Sequence, residues 1–457
     1  MKNKLLVLLL VLAMLLSLAA CGGSSEQEDP PQSMAATGQP EATQPTATEP
    51  TEPAQQTNPS ADETLYALKV GAGTAAIELE PSIFPTEGFS GEVHDDPHVR
   101  ILLLEAGEKA AIVSCELVNT PEEVITGIIA QIAEKAGVPE GNIWVHSTHA
   151  ITTPHKPGNE SVLRAAEEAL ERALVSFAPA TVGVGTIMCD INANRNIETP
   201  EGILGGPYYG MGSTEYSNKT MTLIRFDGED GSPIAFFMSY GIKPTAIDNS
   251  EMSAGTRVIS SDVPGKACTM VEEAFGAPCL FCMPAAGDQY PKEMTLYYDL
   301  NEDGTKMEEI DLGVAAGIEI MERLGSEMGS KAIELAGSIV CDTEESLVRS
   351  ASGTFTATER NKGVEVGIST LRLGNIAFVG FKQELDAQTE KEIQENSPFE
   401  YTLLISFLNG DGKYMPHDAA YDYNNGKGTY EVRKSSFQRG SAELLVANAT
   451  ELLGSIR

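Results

Sequence analysis

Three of the six histidines of this 457-residue chain fall within ten positions, at His146, His149 and His155. Imidazole is the side chain that exchanges a proton near neutral pH, and it is the commonest metal ligand. The run from Asn142 to Val145 predicts a buried strand that enters a loop at Ser147-Thr148-His149. Open α/β sheets bind ligands just beyond the carboxyl ends of their strands, which gives His149 the address of a site residue. His146 alternates into the core or the sheet surface, and His155 lies beyond Pro154 on what reads as exposed loop.

Other short stretches carry more polar residues than packing needs, and all read as strand ends or loops. They are Asn192 to Asn196 (with Arg195), Gly241 to Thr245 (with Lys243), Ser260 to Gly265, Gly287 to Pro291 (with Asp288 and Tyr290), Gly380 to Glu384, and Asn409 to His417 (with Tyr414). Each alone is ordinary turn chemistry; their order and spacing carry the weight.

The elements that must position them alternate. Strands are predicted over Ala67–Leu79, Val99–Glu105 and Ala110–Leu117. Thr120-Pro121-Glu122-Glu123 then opens a helix, with Thr120 as its cap and Glu123 at the reciprocal position. Val124, Ile125, Ile128, Ile129 and Ile132 form its buried stripe, and Gly137 with Pro139 stops it. After the central strand comes a helix over Ser161–Phe177. Later strands are expected at Thr181–Ile187, Met221–Phe226, Ile234–Tyr240 and Cys279–Met283, with a hairpin turn at Asp227–Gly231 using two glycines. A long helix follows over Leu312–Ile339, then strands at Gly363–Leu373, Asn375–Phe381 and Tyr401–Leu408, and a last helix from Ser441. No internal repeat is visible. The fold class is α/β, or α+β, with a mixed β-sheet covered by helices.

Residues 1–20 read as a secretory signal: Lys2 and Lys4, an apolar stretch Leu5–Leu16, and Leu18-Ala19-Ala20-Cys21 as a small-residue cleavage box. A cysteine at the cut, followed by Gly22-Gly23, resembles a bacterial lipoprotein signal in which Cys21 carries the lipid. Residues 21–62 are rich in Pro, Thr, Gln and Glu and predict a disordered tether, since they offer too little apolar surface to fold. Residues 63–457 are the folded domain. The expected location is the extracytoplasmic face of a bacterial membrane, held by acyl chains. The formal net charge is −35, which argues against nucleic acid as a partner. Six further cysteines permit disulfides without specifying any. Cys279 and Cys282 have CxxC spacing, but an extended run puts them on opposite faces, as ordinary buried thiols. Asp299-Leu300-Asn301-Glu302-Asp303-Gly304 opens like a calcium loop; Ile310 at its twelfth position makes it a solvated acidic turn.

Together these stretches resemble the neutral/alkaline non-lysosomal ceramidase family, from Val70-Gly71-Ala72-Gly73 to the last helix. The match runs through Thr148-His149, Asn194-Arg195, Lys243-Pro244-Thr245, Ser260-Ser261-Asp262-Val263-Pro264-Gly265, Gly287-Asp288-Gln289-Tyr290-Pro291, Lys382-Gln383-Glu384 and Asn409 to Glu431. The resemblance runs out at the last helix, and the expectation is a domain without the family's C-terminal immunoglobulin-like domain. The resemblance implies a zinc amidase that cleaves the N-acyl bond of ceramide, with the metal on two His, one Glu and one Tyr. His149, Glu384 and Tyr414 match three of these ligands, Arg195 and Tyr430 match substrate-side polar residues, and Asp288 matches the Gly-Asp turn. Lys243 replaces the second histidine, Ile151 the other histidine of the Thr-His loop, and Tyr290 the turn serine.

Lys243 changes what this constellation can do. An ammonium has no lone pair for a metal, and its charge opposes one, so the expectation is substoichiometric zinc. The simpler arrangement has the Lys243 ammonium in the cation's place, against Glu384 and hydrogen-bonded to Tyr414. His149 would then be the base of any metal-free chemistry, with Thr152 or Tyr290 as the nearest hydroxyl, while His155 is a distant stand-in ligand. Two readings stay open: a degenerate hydrolase acting on an amide or ester bond of a lipid-like, glycan or small-molecule substrate, and a non-catalytic lipoprotein that binds a ligand in the same pocket.

Overall fold

An apolar run without alternation is stable only where both faces of a strand are covered. Ile101 to Leu104 is such a run, and in the computed structural model all four side chains are buried. The structure describes residues 64–199, 202–205, 215–247, 257–300 and 306–457. The signal, Cys21, the tether and residues 301–304 of the acidic turn lie outside the described residues.

Among the strands of the two larger sheets and the longer helices, the chain from 69 to 455 repeats one order three times, strand–strand–strand–helix–strand–helix, with short strands and turns of helix in the connections. The first pass is β1 Lys69–Ala76, β2 His98–Ala106, β3 Glu108–Cys115, α1 Glu122–Ala136, β4 Ile143–Ser147 and α2 Asn159–Val175. The second is β5 Ala178–Met188, β6 Thr220–Gly228, β7 Pro233–Ser239, α3 Asp262–Phe275, β8 Cys279–Cys282 and α4 Gly313–Ser338. The third is β9 Val348–Glu359, β10 Lys362–Leu373, β11 Ile376–Gly380, α5 Ala387–Glu395, β12 Tyr401–Ile405 and α6 Ser441–Ser455. In every pass the first three strands run antiparallel and the fourth lies parallel to the third.

The first two passes share one eight-stranded sheet, ordered β8-β7-β6-β5-β1-β2-β3-β4, and the third forms a four-stranded sheet, β9-β10-β11-β12. The expected mixed sheet is therefore present, but it is covered by helices on one face only. α1 and α2 pack on one half of that face, through Ile128, Ile132, Ala166 and Leu170 against Ile101 and Val113. α3 and α4 cover the other half, through Val263, Val271, Met321 and Met328 against Leu223 and Phe281. The second sheet packs on the opposite face, where Leu102, Ile112, Trp144 and Phe237 meet Leu371, Phe378 and Ile405. α6 closes the far side of that second sheet through Ala442, Leu445 and Leu453. The layers run helix, sheet, sheet, helix, one of the arrangements that hides a sheet's apolar faces.

Close approach explains the glycines of the opening strands. A Cβ on Gly73 would lie 2.0 Å from the Ala169 carbonyl oxygen of α2, and one on Gly183 would lie 2.2 Å from the Val340 carbonyl oxygen just past α4. Val70-Gly71-Ala72-Gly73 and Val182-Gly183-Val184-Gly185 thus serve the same purpose in two passes: they let a strand lie against the final helix segment.

The CxxC thiols are buried on opposite faces, Cys279 toward α3 and α4 and Cys282 between the sheets, as the extended run predicts. Three local expectations are corrected. α1 begins after Pro121 with no side-chain cap, because the Thr120 hydroxyl is hydrogen-bonded to Ser147 Oγ at 2.8 Å and Glu123 accepts from Asn159. In the hairpin turn Gly231 takes positive φ (78°) and Gly228 does not. The repetition of elements is visible only in three dimensions, since little beyond the paired glycines marks it in sequence.

Candidate functional site

The site lies where the three parallel strand pairs end. Lys243 stands four residues past Ser239, the last residue of β7, and Glu384 four residues past Gly380, the last residue of β11. They occupy corresponding places in two passes. His149, Asp288 and Tyr414 follow β4, β8 and β12, the fourth strands.

Backbone hydrogen bonds join these ends across passes: Asn409 N to Val145 O (2.7 Å), Ser406 N to Met283 O (3.0 Å), Gly287 N to Leu385 O (2.7 Å) and Ile151 N to Pro244 O (3.2 Å). His146 is the knot among them. Its Nδ1–H donates to the Ser406 carbonyl at 2.5 Å and its Nε2 accepts from Met283 N at 3.1 Å. Burial drives its pKa down to about 4, so this neutral ring is structural and takes no part in the site.

The Lys243 loop is clamped from outside. Lys243 N donates to Gln289 O at 3.0 Å, and the Asp262 carboxylate accepts from Ala246 N (3.0 Å) and Ile247 N (3.2 Å). Asp262 holds φ at 57° to do so. This gives the Ser260–Gly265 motif its purpose: it starts α3 while gripping the loop that carries Lys243. Glu384 and Tyr414 are paired backbone to backbone, through Glu384 N to Lys413 O (3.1 Å) and Met415 N to Glu384 O (3.0 Å).

Lys243 is 2% exposed and Glu384 7%. The lysine ammonium is ion-paired with Glu384 Oε2 and donates to the Tyr414 hydroxyl at 2.7 Å. Burial alone would lower the lysine pKa, but the Glu384 charge outweighs it and holds the amine protonated. Burial alone would raise that of Glu384, and the Lys243 and His149 charges reverse it, leaving a carboxylate. Tyr414 is pushed well above the usual phenol range by burial.

Arg195 is fully buried beside them. It is reached through Asn192–Asn194, which pairs with Gln289–Pro291, and its backbone N donates to Asp288 O at 2.8 Å. The guanidinium forms an ion pair with Glu431, donates to the Tyr290 hydroxyl at 2.6 Å, and lies 4.0 Å from the Tyr430 ring centroid, 4.6 Å from Tyr290 and 5.3 Å from Tyr414. Its Nη2 is buried with no partner among the described residues.

His149 holds positive φ (62°), uncommon for a residue with a side chain. Its ring stacks on Phe407 with centroids 4.3 Å apart, and Nδ1–H donates to the Val118 carbonyl at 2.8 Å. That bond fixes the tautomer and leaves Nε2 as the lone-pair nitrogen. Burial, with Glu384 and Lys243 acting in opposite senses, leaves its pKa below the usual histidine value.

Asp288 is placed apart from Lys243. Its carboxyl accepts from Asn194 Nδ2 (2.6 Å), Gln289 Nε2 (2.9 Å) and Ala387 N (3.0 Å), and burial with the nearby Asp386 and Glu431 pushes its pKa to about 7. It lines a cavity of about 410 Å³ with Asn196, Asp386, His417, Tyr216 and Glu431. Glu431 is common to that cavity and to Arg195; His149, Lys243, Glu384 and Tyr414 do not line it. Thr152 is spent, its hydroxyl donating to Ser260 O at 2.7 Å, so of the two expected hydroxyls it is Tyr290 that joins this group, beside Tyr414. His155 is exposed on Glu87 at 2.8 Å, outside the site.

The sequence reading missed Phe407 and the Asp386–His417 pair, and it left Glu431 without a role although it follows Tyr430. A buried acid next to a site tyrosine was the available signal. The zinc that the resemblance implies is tested by the donor set. The ammonium already contacts both Glu384 and Tyr414, and among the described residues no group of three or more His, Cys, Asp or Glu side chains is arranged to hold a metal. As the residues stand, they do not fit a zinc ion.

This is a four-layer protein with a ceramidase-like fold and, at the strand ends, a buried Lys243–Glu384 pair that the half-buried Tyr414 joins. The crystal structure of neutral ceramidase from Pseudomonas aeruginosa matches with a TM-score of 0.64 at 14% identity, covering 85% of this chain and 74% of that one. A structure titled "Ceramidase complexed with C2" matches with a TM-score of 0.62 at 14% identity, covering 86% and 75%. At this identity the likeness establishes the fold. No family model and no curated protein matches the sequence.

Proposed function

We propose that this chain is a lipid-anchored, extracytoplasmic hydrolase of an amide or ester bond, acting on a lipid-like, glycan or small-molecule substrate without a metal. The observation that carries it is the convergence of His149, Lys243, Glu384, Tyr414 and Arg195 from five separate loops onto one group, in which Lys243, Glu384 and Arg195 are buried. In this scheme His149 Nε2 takes a proton from water as the oxygen adds to the substrate carbonyl. Tyr414 and Arg195 donate hydrogen bonds to the carbonyl oxygen as it becomes negative. His149 then returns the proton to the leaving amine or alcohol. The signal-like segment ending at Cys21 and the long tether support placement at a membrane surface.

Binding without turnover is the second reading, favoured by the ion pair that spends both Lys243 and Glu384 on each other. A screen of acyl-amide and ester probes on wild type and Glu384→Gln, each with and without chelator, separates the two. Hydrolysis that survives chelator and falls in the variant supports the enzyme. Probe binding with no hydrolysis in either protein rejects it.

A further inference from the structure

We infer that Lys243 is a built-in cation standing in place of a metal ion, and that the pocket meets an acceptor oxygen of its ligand with fixed O–H and N–H donors. This deepens the reading above, because it concerns the same pocket, but it does not depend on turnover.

Lys243 and Glu384 occupy corresponding places after β7 and β11, and the lysine loop is fixed at its own backbone by Gln289 and, three and four residues on, by Asp262. The ammonium therefore has a built address at 2% exposure. It reaches Glu384 and the Tyr414 hydroxyl, the same oxygens that a metal would use in the resembling family.

Two cations, Lys243 and Arg195, face two anions, Glu384 and Glu431, in two ion pairs. The group is neutral and closed. A divalent ion added to it would bring uncompensated charge into a region shielded from water, which is costly. The ammonium has no lone pair with which to join a coordination shell.

The Tyr414 hydroxyl accepts from Lys243, which leaves its own proton to give. Among the described residues Arg195 Nη2, which is buried, has no acceptor. A buried donor without a partner costs free energy that a ligand oxygen restores on binding. The class that fits is a carbonyl oxygen on an uncharged molecule, since the same neutrality that disfavours a divalent ion disfavours an anion.

The test uses the purified full chain. Metal content is measured by plasma mass spectrometry after dialysis, and zinc is titrated calorimetrically into wild type and Lys243→His. The expected result is wild type holding far less than one zinc per chain and gaining no melting temperature from added zinc. Lys243→His should bind zinc at least about tenfold more tightly, in line with the sensitivity of metal sites to single groups around them. Wild type carrying near one zinc per chain, or losing its fold to chelator, would overturn the inference. If Lys243→His does not fold, the wild-type titration decides alone: one tight zinc site sinks the proposal, and none sustains it. A chain that cleaves no probe yet refuses zinc rejects the hydrolase and leaves this inference standing. A zinc-loaded hydrolase does the reverse.

Discussion

Replacing Lys243 by methionine removes the charge while keeping most of the volume, and it leaves the Glu384 carboxylate buried opposite a thioether. Glu384 is 7% exposed, so water cannot take over the lost interaction. Breaking one side of a buried ion pair costs about 3–5 kcal/mol. For a folded body of roughly 390 residues the unfolding entropy is on the order of 0.8 kcal/mol/K, so this loss corresponds to a fall of about 4–6 °C in melting temperature. Glu384→Gln should cost on the same order, because it leaves the ammonium facing a neutral amide. The double variant removes both charges together, and replacing a whole buried pair by uncharged groups of similar size is close to neutral. The double-mutant cycle should therefore show a coupling of about 2 kcal/mol or more, with the double variant melting above either single one. Thermal and urea unfolding followed by circular dichroism supply the measurement. Single variants that melt within a degree of wild type, or effects that simply add, would refute the claim that these two groups neutralise each other in the protein interior.

Two further outcomes follow from the same loops. The His417 ring pairs with Asp386 at 2.6 Å; burial alone would lower its pKa, but the Asp386 hydrogen bond and charge raise it to about 9. A folded pKa above the unfolded value, about 6.5, means that this stability is full below pH 6.5 and is lost as pH rises through 9. Melting temperature should decline from neutral pH to above pH 9, and His417→Asn should lower it at pH 6 while flattening that part of the decline. Gly412 precedes Tyr414, and a Cβ there would lie 1.7 Å from the Lys382 carbonyl oxygen. Gly412→Ala should destabilise the chain by about 2 kcal/mol or more, as steric overlap with backbone does. Gly367→Ala, with nothing within 4 Å of the new methyl group, should leave the urea midpoint nearly unchanged.

Legibility differed by element. Strands and helices with strong apolar period stood in the expected places, from the stripe of α1 to the helix over Gly313–Ser338, because burial of a face is written in local spacing. The cap at Thr120 was misread because the hydroxyl has a rival partner, Ser147, 27 residues away. The face-to-face packing of two sheets was hidden for a related reason. Strands covered by helices and strands covered by another sheet carry the same apolar runs, and only the order of passes tells which cover applies. His149 was legible as a site residue because three histidines gather near one strand end. Its positive φ and its stack on Phe407 are properties of loops closed by distant segments.

The sequence by itself determined the chemical inventory of the site and the pattern of most of the elements around it: one imidazole, one amine, one carboxylate, the tyrosines and the arginine, each just past a strand or in a turn. Their types and local spacing carry that much, since strand ends and turns are local matters. The resemblance already implied Lys243 against Glu384 and Tyr414, as the structure has it, and only the tertiary structure decided that Arg195 is gripped by Glu431 while Asp288 belongs to a neighbouring cavity. These groups come from loops up to 236 residues apart, and no local rule connects them. The parallel strand pairs of three passes bring their carboxyl ends together, and the buried setting that results makes charge pairing decide what the site can hold.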